Sequence, residues 1–144
     1  MIPVKIKLSP GASVPGYQSD GAAGADMCAL VDTPVTIEPG RFALIPTGIW
    51  IDMPFGYEAQ IRPRSGLSLK HGIMLLNSPG TIDSDYRGEI KIIMANFGTE
   101  PFTVERGMRI AQMVFAKVYR ASFLQTEEME TTERNEGGFG HSGI

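Results

Sequence analysis

Pro79-Gly80-Thr81-Ile82-Asp83-Ser84-Asp85-Tyr86-Arg87-Gly88-Glu89-Ile90 opens on a Pro-Gly turn signal and leads into Glu89-Ile90-Lys91-Ile92, where polar and apolar residues alternate as in a half-buried strand. Turn punctuation of this kind recurs along the chain. Its 144 residues include 17 glycines and 10 prolines, scattered every several residues, and that pattern predicts many short strands in an all-β sandwich or barrel. Asp83 and Asp85 are two apart, so on an extended chain both carboxylates face one side and Ser84 the other. Ile82 and Tyr86 bracket them. An acid beside an aromatic ring is equipped to hold a small planar ligand and deprotonate a water next to it. A polar hairpin with solvated acids has the same composition, so this stretch alone leaves both readings open.

The length fits one domain with a real core. A net charge of −3 argues against a protein that wraps nucleic acid through bulk positive charge. Cys28 is the one cysteine, which excludes an intrachain disulfide and suits a reducing compartment. Met1 to Leu8 lacks a basic region followed by an apolar run, and no stretch approaches the ~20 apolar residues of a membrane span. The expectation is a cytoplasmic protein with no membrane and no nucleic-acid partner.

Val4-Lys5-Ile6-Lys7-Leu8 alternates as a first strand, and residues 9–20 read as loop. In Asp20-Gly21-Ala22-Ala23-Gly24-Ala25-Asp26-Met27-Cys28-Ala29, small residues surround Asp26, leaving room for a backbone or ligand to approach. Asp26 alone reads equally as a turn-forming acid. Strands are expected at Val35-Thr36-Ile37 and Phe42-Ala43-Leu44-Ile45 on either side of Glu38-Pro39-Gly40. Others are expected at Gly48-Ile49-Trp50-Ile51 and Tyr57-Glu58-Ala59-Gln60-Ile61, flanking Pro54-Phe55-Gly56. Phe42 and Trp50 are assigned to the core. Ile73-Met74-Leu75-Leu76-Asn77 is expected to pair with the strand beginning near Asp83. Phe102-Thr103-Val104 and Arg109 to Ala116 follow, with Gln112 in an apolar neighbourhood where its amide needs a partner.

Arg62-Pro63-Arg64-Ser65-Gly66-Leu67-Ser68-Leu69-Lys70-His71-Gly72-Ile73 reads as a short helical turn capped by Ser65 and ended by Gly72. Free N–H groups at a helix start suit phosphate, and Arg64 adds a fork-shaped cation. A structural cap with solvated arginines is the plainer reading, and His71 reads as a satisfied turn histidine. From Gln125 the composition changes. Residues 127–136 hold five Glu and almost nothing apolar, so they are expected to form a mobile arm, residues 126–144, beyond a core of residues 1–125. Arg134, the following glycines and Phe139 together compose a phosphate clamp with a stacking ring.

Five stretches in order and register resemble the trimeric deoxyuridine triphosphatases (dUTPases). Ala23-Gly24-Ala25-Asp26-Met27 is similar to the first motif of that family, and Arg62-Pro63-Arg64-Ser65-Gly66-Leu67 to the second. Gly80-Thr81-Ile82-Asp83-Ser84-Asp85-Tyr86-Arg87-Gly88-Glu89 is similar to the third, and Gly107-Met108-Arg109-Ile110-Ala111-Gln112 to the fourth. Arg134-Asn135-Glu136-Gly137-Gly138-Phe139-Gly140 is similar to the fifth. One departure is His141, where many members carry a serine before a threonine; Ser142 then stands in the threonine position.

The resemblance implies a jelly-roll-like β fold (β-clip) with one short helix, assembled as a homotrimer whose arms close shared sites on neighbouring subunits. It implies hydrolysis of dUTP to dUMP and pyrophosphate, with Mg²⁺ held mainly by the triphosphate and water rather than by protein ligands. Such a reaction keeps uracil out of DNA and supplies dUMP for dTMP synthesis. Asp83 would be the base that activates water. Arg64, Ser65, Gly66 and Gln112 would bind inner phosphates, and Arg134, Gly140, His141 and Ser142 the outer one. Asn77, Gly80, Thr81, Ile82, Tyr86 and Phe139 would hold uracil and deoxyribose, with Asp26 supporting Arg64 or an ordered water. Two rivals remain: a dCTP deaminase of the same fold, and a β trimer that binds a nucleotide or protein partner without catalysis.

Overall fold

The structure, a computed structural model, describes residues 1–138. In chain order its elements are β1 (Lys5–Leu8), β2 (Gly16–Tyr17), β3 (Ala25–Cys28), β4 (Val35–Ile37), β5 (Phe42–Asp52) and β6 (Tyr57–Arg62). Then come α1 (Ser65–His71), β7 (Ile73–Leu75), β8 (Gly80–Ile82), β9 (Ile90–Asn96), β10 (Phe102–Val104) and β11 (Arg109–Lys117). The strands form a four-stranded sheet in the order β1-β5-β9-β7, a five-stranded sheet in the order β2-β3-β11-β6-β8, and a β10-β4 pair. The paired strands run antiparallel, as in Leu44↔Ile93 and Met113↔Ile61. This bears out the all-β expectation with one short helix.

Alternation builds the core. Along β9 Ile90, Ile92 and Met94 are buried while Lys91 is exposed. Ile45 and Ile49 from β5 join them, and Met27, Ala59, Ile61, Ala111 and Met113 face them from the other sheet. Two buried polar side chains stitch this core, each with its hydrogen bonds met. Thr47 Oγ1 donates to the Ile90 carbonyl at 2.5 Å. Asn96 Nδ2 donates to the Ile37 and Glu100 carbonyls, both at 2.8 Å, and its Oδ1 accepts from the Gly98 N–H at 2.9 Å.

Several local expectations are corrected. The segments Phe42–Ile45 and Gly48–Ile51 belong to one strand of 11 residues, β5. A register shift between Pro46 and Ile49 absorbs the irregularity, with Gly48 at φ +65° and its N–H bonded to Glu89 Oε1 at 2.9 Å. β4 pairs with β10 rather than with β5. β7 pairs with β9, and β8 with β6, so the strand before Asn77 does not form a hairpin with the one ending beside Asp83. β2, β3 and β8 arise from stretches rich in small residues, where the periodic signal is weak. Phe42 is 65% exposed and not core. Trp50 is partly buried at the surface, with Lys7 Nζ 4.9 Å from its ring centroid. Strand structure ends at Lys117, and residues 119–136 are exposed.

Candidate active site

The five-stranded sheet carries a cationic cluster on its outer face. In β3, Ala25 and Met27 point into the core, so Asp26 points outward. Gln112 of β11 lies opposite both Asp26 and Arg62 of β6, placing the three in one cross-strand row. Asp26 Oδ1 accepts from Arg64 Nε at 3.1 Å, and its Oδ2 from Arg109 Nη1 at 3.2 Å. Arg64 Nη1 also donates to the Arg109 carbonyl at 3.2 Å. One carboxylate, its side chain 12% exposed, thus faces two guanidinium groups. The surplus positive charge and the unused N–H groups suit a polyanion.

Gln112 Nε2 donates to the Pro63 carbonyl at 2.9 Å. The amide reaches it across Gly24, where a Cβ would overlap Gln112 Oε1. Beyond Pro63 the chain turns into α1. The helix cap is Arg64, extended at φ −92° and ψ 127° and without a side-chain cap bond, rather than Ser65, which is the first helical residue. Proline at 63 is one residue too early to start the helix. The Arg64 carbonyl accepts from Leu67 and Ser68, both at 3.1 Å. The N–H groups of Ser65 and Gly66 therefore stand at the helix start, where no preceding turn supplies carbonyls. Gly72 ends the helix at φ +65°, as expected. His71 stacks on Phe102, ring centroids 5.2 Å apart.

Arg109 is the residue of this cluster that sequence reasoning did not single out. Three positions before Gln112, it would face the opposite side of a regular strand. The register shift between Arg109 and Ala111 adds one residue, so Arg109 pairs with Cys28 while Gln112 pairs with Asp26. Both then share a face. Glycine before Met108 is the only sequence hint.

A second cluster lies past the far edge of the same sheet. Gly80 pairs with Ile61, Thr81 with Gln60 and Ile82 with Ala59. Asn77 folds over Gly80, whose added Cβ would sit 3.3 Å from Asn77 Nδ2. Asp83 begins a turn closed by the Tyr86 N–H on its carbonyl at 3.2 Å. Asp83 and Asp85 therefore do not lie along an extended strand, and the alternation expected there does not apply. Among the described residues the Asp83 carboxylate, exposed, makes no hydrogen bond or ion pair. Tyr86 donates from its hydroxyl to the Glu89 carbonyl at 3.0 Å. A groove of about 460 Å³ has Asp83, Tyr86 and Ile82 in its wall. It shares Thr81, Ile82, Lys91 and Ile93 with a smaller cleft of about 40 Å³ at Asn77 and Gly80.

The two clusters are apart on one chain. Asp83 follows Ile82, so it sits about four residues along β6 from Arg62 and two strands over from Gln112. At ~3.4 Å per residue and ~4.8 Å per strand, the separation is roughly 16 Å. A base must come within ~3 Å of the water it activates, so Asp83 and this chain's own phosphate-type donors cannot meet at one reacting phosphorus. Arg134 joins neither cluster: its Nε donates to the Gly137 carbonyl at 2.7 Å within its own turn. Phe139, Gly140, His141 and Ser142 lie outside the described residues.

Comparison with known proteins gives a consistent family. The dUTPase family profile matches residues 11–143. The deoxyuridine 5'-triphosphate nucleotidohydrolase of Chlamydia muridarum is 56% identical over 138 residues, covering 95% of each chain. The protein of the same name from Caldanaerobacter subterraneus is 56% identical over 146 residues, covering 99% of each. Among solved structures, the dUTPase of Staphylococcus bacteriophage 80alpha with dUPNHPP superposes with a TM-score of 0.86 at 27% identity, covering 99% of both chains.

Proposed function

The chain belongs to the dUTPase family, and from that premise we infer that it hydrolyses dUTP to dUMP and pyrophosphate through a site shared between subunits. It is an enzyme, a dUTP diphosphatase. The observation that carries the shared site is the separation of Asp83 from the Asp26–Arg64–Arg109–Gln112 cluster. Each half is well formed and neither is sufficient.

Asp83 is the general base. Its carboxylate takes a proton from a water whose oxygen bonds to the α-phosphorus, and the bridging bond to the β-phosphate breaks as pyrophosphate leaves. A positioned base of this kind contributes ~10²–10⁴-fold. Arg64, Gln112 and the N–H groups of Ser65 and Gly66, from another subunit, meet the charge that gathers on the departing pyrophosphate. Asp26 holds Arg64 and Arg109 in place. Arg134 and the residues from Phe139 to Ser142 close the site from the arm, Phe139 on the uracil and the remainder on the outer phosphate.

Asn77 and the backbone of Gly80, Thr81 and Ile82 read the uracil edge, where a buried mismatch is costly. The Tyr86 ring against the sugar leaves no room for a 2′-hydroxyl. Mg²⁺ fits as an ion carried by the substrate. Phosphate oxygens are hard donors, the acid nearest the cationic cluster is occupied by two arginines, and no trio of His, Cys, Asp and Glu side chains gathers among the described residues. When bound, the ion offsets charge on the phosphates.

A homotrimer with mobile arms beyond residue 125 completes this reading. An exposed apolar face supports it: Leu44 neighbours Ile93, and Phe42 and Met74 both flank Ala95 on the four-stranded sheet. Phe42 is 65% and Leu44 57% exposed, which marks a surface for association. A cytoplasmic location is part of the proposal, on the strength of the lone cysteine. There the product serves dTMP synthesis and substrate removal keeps uracil out of DNA. No helix among the described residues is long and apolar enough to cross a membrane.

The test follows pyrophosphate from dUTP, UTP and dCTP beside ammonia from dCTP. Pyrophosphate and dUMP from dUTP, with the other two substrates poorly used, is the expected result. Ammonia from dCTP would favour the deaminase, and no turnover with tight binding would favour a non-catalytic trimer.

A further inference from the structure

Arg87 ties the Asp83–Tyr86 turn to the opposite sheet. Its Nη1 donates to the Ser84 carbonyl at 2.7 Å and to the Tyr86 carbonyl at 3.0 Å. Its Nη2 donates to Asp52 Oδ1 at 2.7 Å, at the last residue of β5. The other oxygen of Asp52 faces Lys5 Nζ at 3.3 Å on the neighbouring β1. The loop between β8 and β9 is thus held at one end by the five-stranded sheet and at the other by the four-stranded sheet. Between them, this guanidinium is a crosstie to β5. It spans two carbonyls and a carboxylate at once, which its planar fork allows and a point-charge ammonium does not.

What the tie orders is the Tyr86 side chain. The ring lies over Gly88, where a Cβ would overlap the phenolic oxygen, and its hydroxyl reaches the Glu89 carbonyl. Ring orientation therefore depends on the backbone from Ser84 to Glu89, the stretch that Arg87 grips. Asp83 stands differently: it directly follows the β8–β6 ladder, whose last pair is Ile82↔Ala59. Loosening the tie moves the ring more than the carboxylate.

We propose that Arg87, anchored by Asp52, is a positioning residue for sugar selectivity: it holds the Tyr86 ring where a 2′-hydroxyl would sit. The proposal rests on the reading of Tyr86 given above. Arg87 and Asp52 are 55% and 39% exposed as side chains, so each can be replaced without opening the core. Exposure also limits the effect to about three- to tenfold, the scale of one ion pair and a shared hydrogen bond.

The experiment measures kcat/KM for dUTP and for UTP in the full-length enzyme and in Arg87→Ala, Arg87→Lys, Asp52→Ala, the Arg87→Ala/Asp52→Ala double variant and Tyr86→Ala. The expected result is that Arg87→Ala lowers the dUTP:UTP ratio about three- to tenfold, mostly by raising relative use of UTP, with kcat on dUTP within a few-fold. Arg87→Lys should not restore the ratio. Asp52→Ala should show a smaller loss, and the double variant should lose no more than Arg87→Ala alone. A purely structural role would depress both substrates together. If Tyr86→Ala abolishes discrimination while Arg87→Ala keeps the wild-type ratio, the crosstie is refuted and the reading of Tyr86 stands. If Tyr86→Ala itself keeps the ratio, that reading fails and this proposal fails with it.

Discussion

Replacing Gly24 with alanine tests how the cationic cluster is held. The Gly24 backbone lies outside the left-handed region, so alanine meets only a steric problem there. Its Cβ would overlap Gln112 Oε1 and lie 3.1 Å from Gln112 Cδ and 3.2 Å from Gln112 Cβ. The whole Gln112 side chain must then swing away, and its 2.9 Å bond to the Pro63 carbonyl is lost. Losing that partly buried bond costs about 1–3 kcal/mol of stability. Turnover should fall by roughly ten- to 100-fold, somewhat less than for a sole oxyanion donor, because several cations share the phosphate charge. At ~1.4 kcal/mol per decade, that is about 1.4–2.8 kcal/mol on the barrier. Pyrophosphate release gives the rate, and denaturant unfolding gives the stability. The clash is with one side chain, so in a Gln112→Ala background the same substitution should cost under about 0.5 kcal/mol. Wild-type rate and stability in Gly24→Ala, or full additivity with Gln112→Ala, would refute the reasoning.

Asp83→Asn should keep dUTP binding and lose at least ~10²-fold in turnover, since it removes the base and roughly preserves shape; single-turnover pyrophosphate release checks this, and a loss of only a few-fold would assign the base elsewhere. Asn96→Ala removes three buried hydrogen bonds and should destabilise the chain by about 2–4 kcal/mol in urea titrations, the cost of stranding two buried carbonyls and an N–H. Removing residues 126–144 should leave a folded assembly of unchanged size by light scattering, because the core draws nothing apolar from that segment. Its turnover should collapse.

Short-range features were legible in the sequence where the alternation was strong. Val35–Ile37, Phe102–Val104 and the strand holding Gln112 appear with nearly the expected bounds. Strand partnership was not legible, because β4–β10 and β7–β9 join residues far apart in sequence. The continuity of β5 also escaped: Pro46 and Gly48 look like breakers, and only the Glu89 carboxylate on the Gly48 N–H, with the Thr47 bond to Ile90, carries the strand through. The same kind of irregularity hid Arg109, whose place beside Asp26 depends on one extra residue in β11. Asp83 was found for its chemistry although its expected geometry was wrong. A turn, not a strand, presents it.

The central claim is that a working site draws on more than one chain, and complementation tests it most directly. Asp83→Asn chains keep the arm and lack the base; chains ending at residue 125 keep the base and lack the arm. Each homotrimer alone should be nearly inactive. After co-refolding at equal ratio, a base from one chain meets an arm from another at random, so roughly a quarter of sites should be complete in a closed symmetric trimer. Pyrophosphate release from dUTP near that fraction of the wild-type rate is the predicted result. A mixture no more active than its parents, with mixed trimers demonstrated by mass, would contradict it.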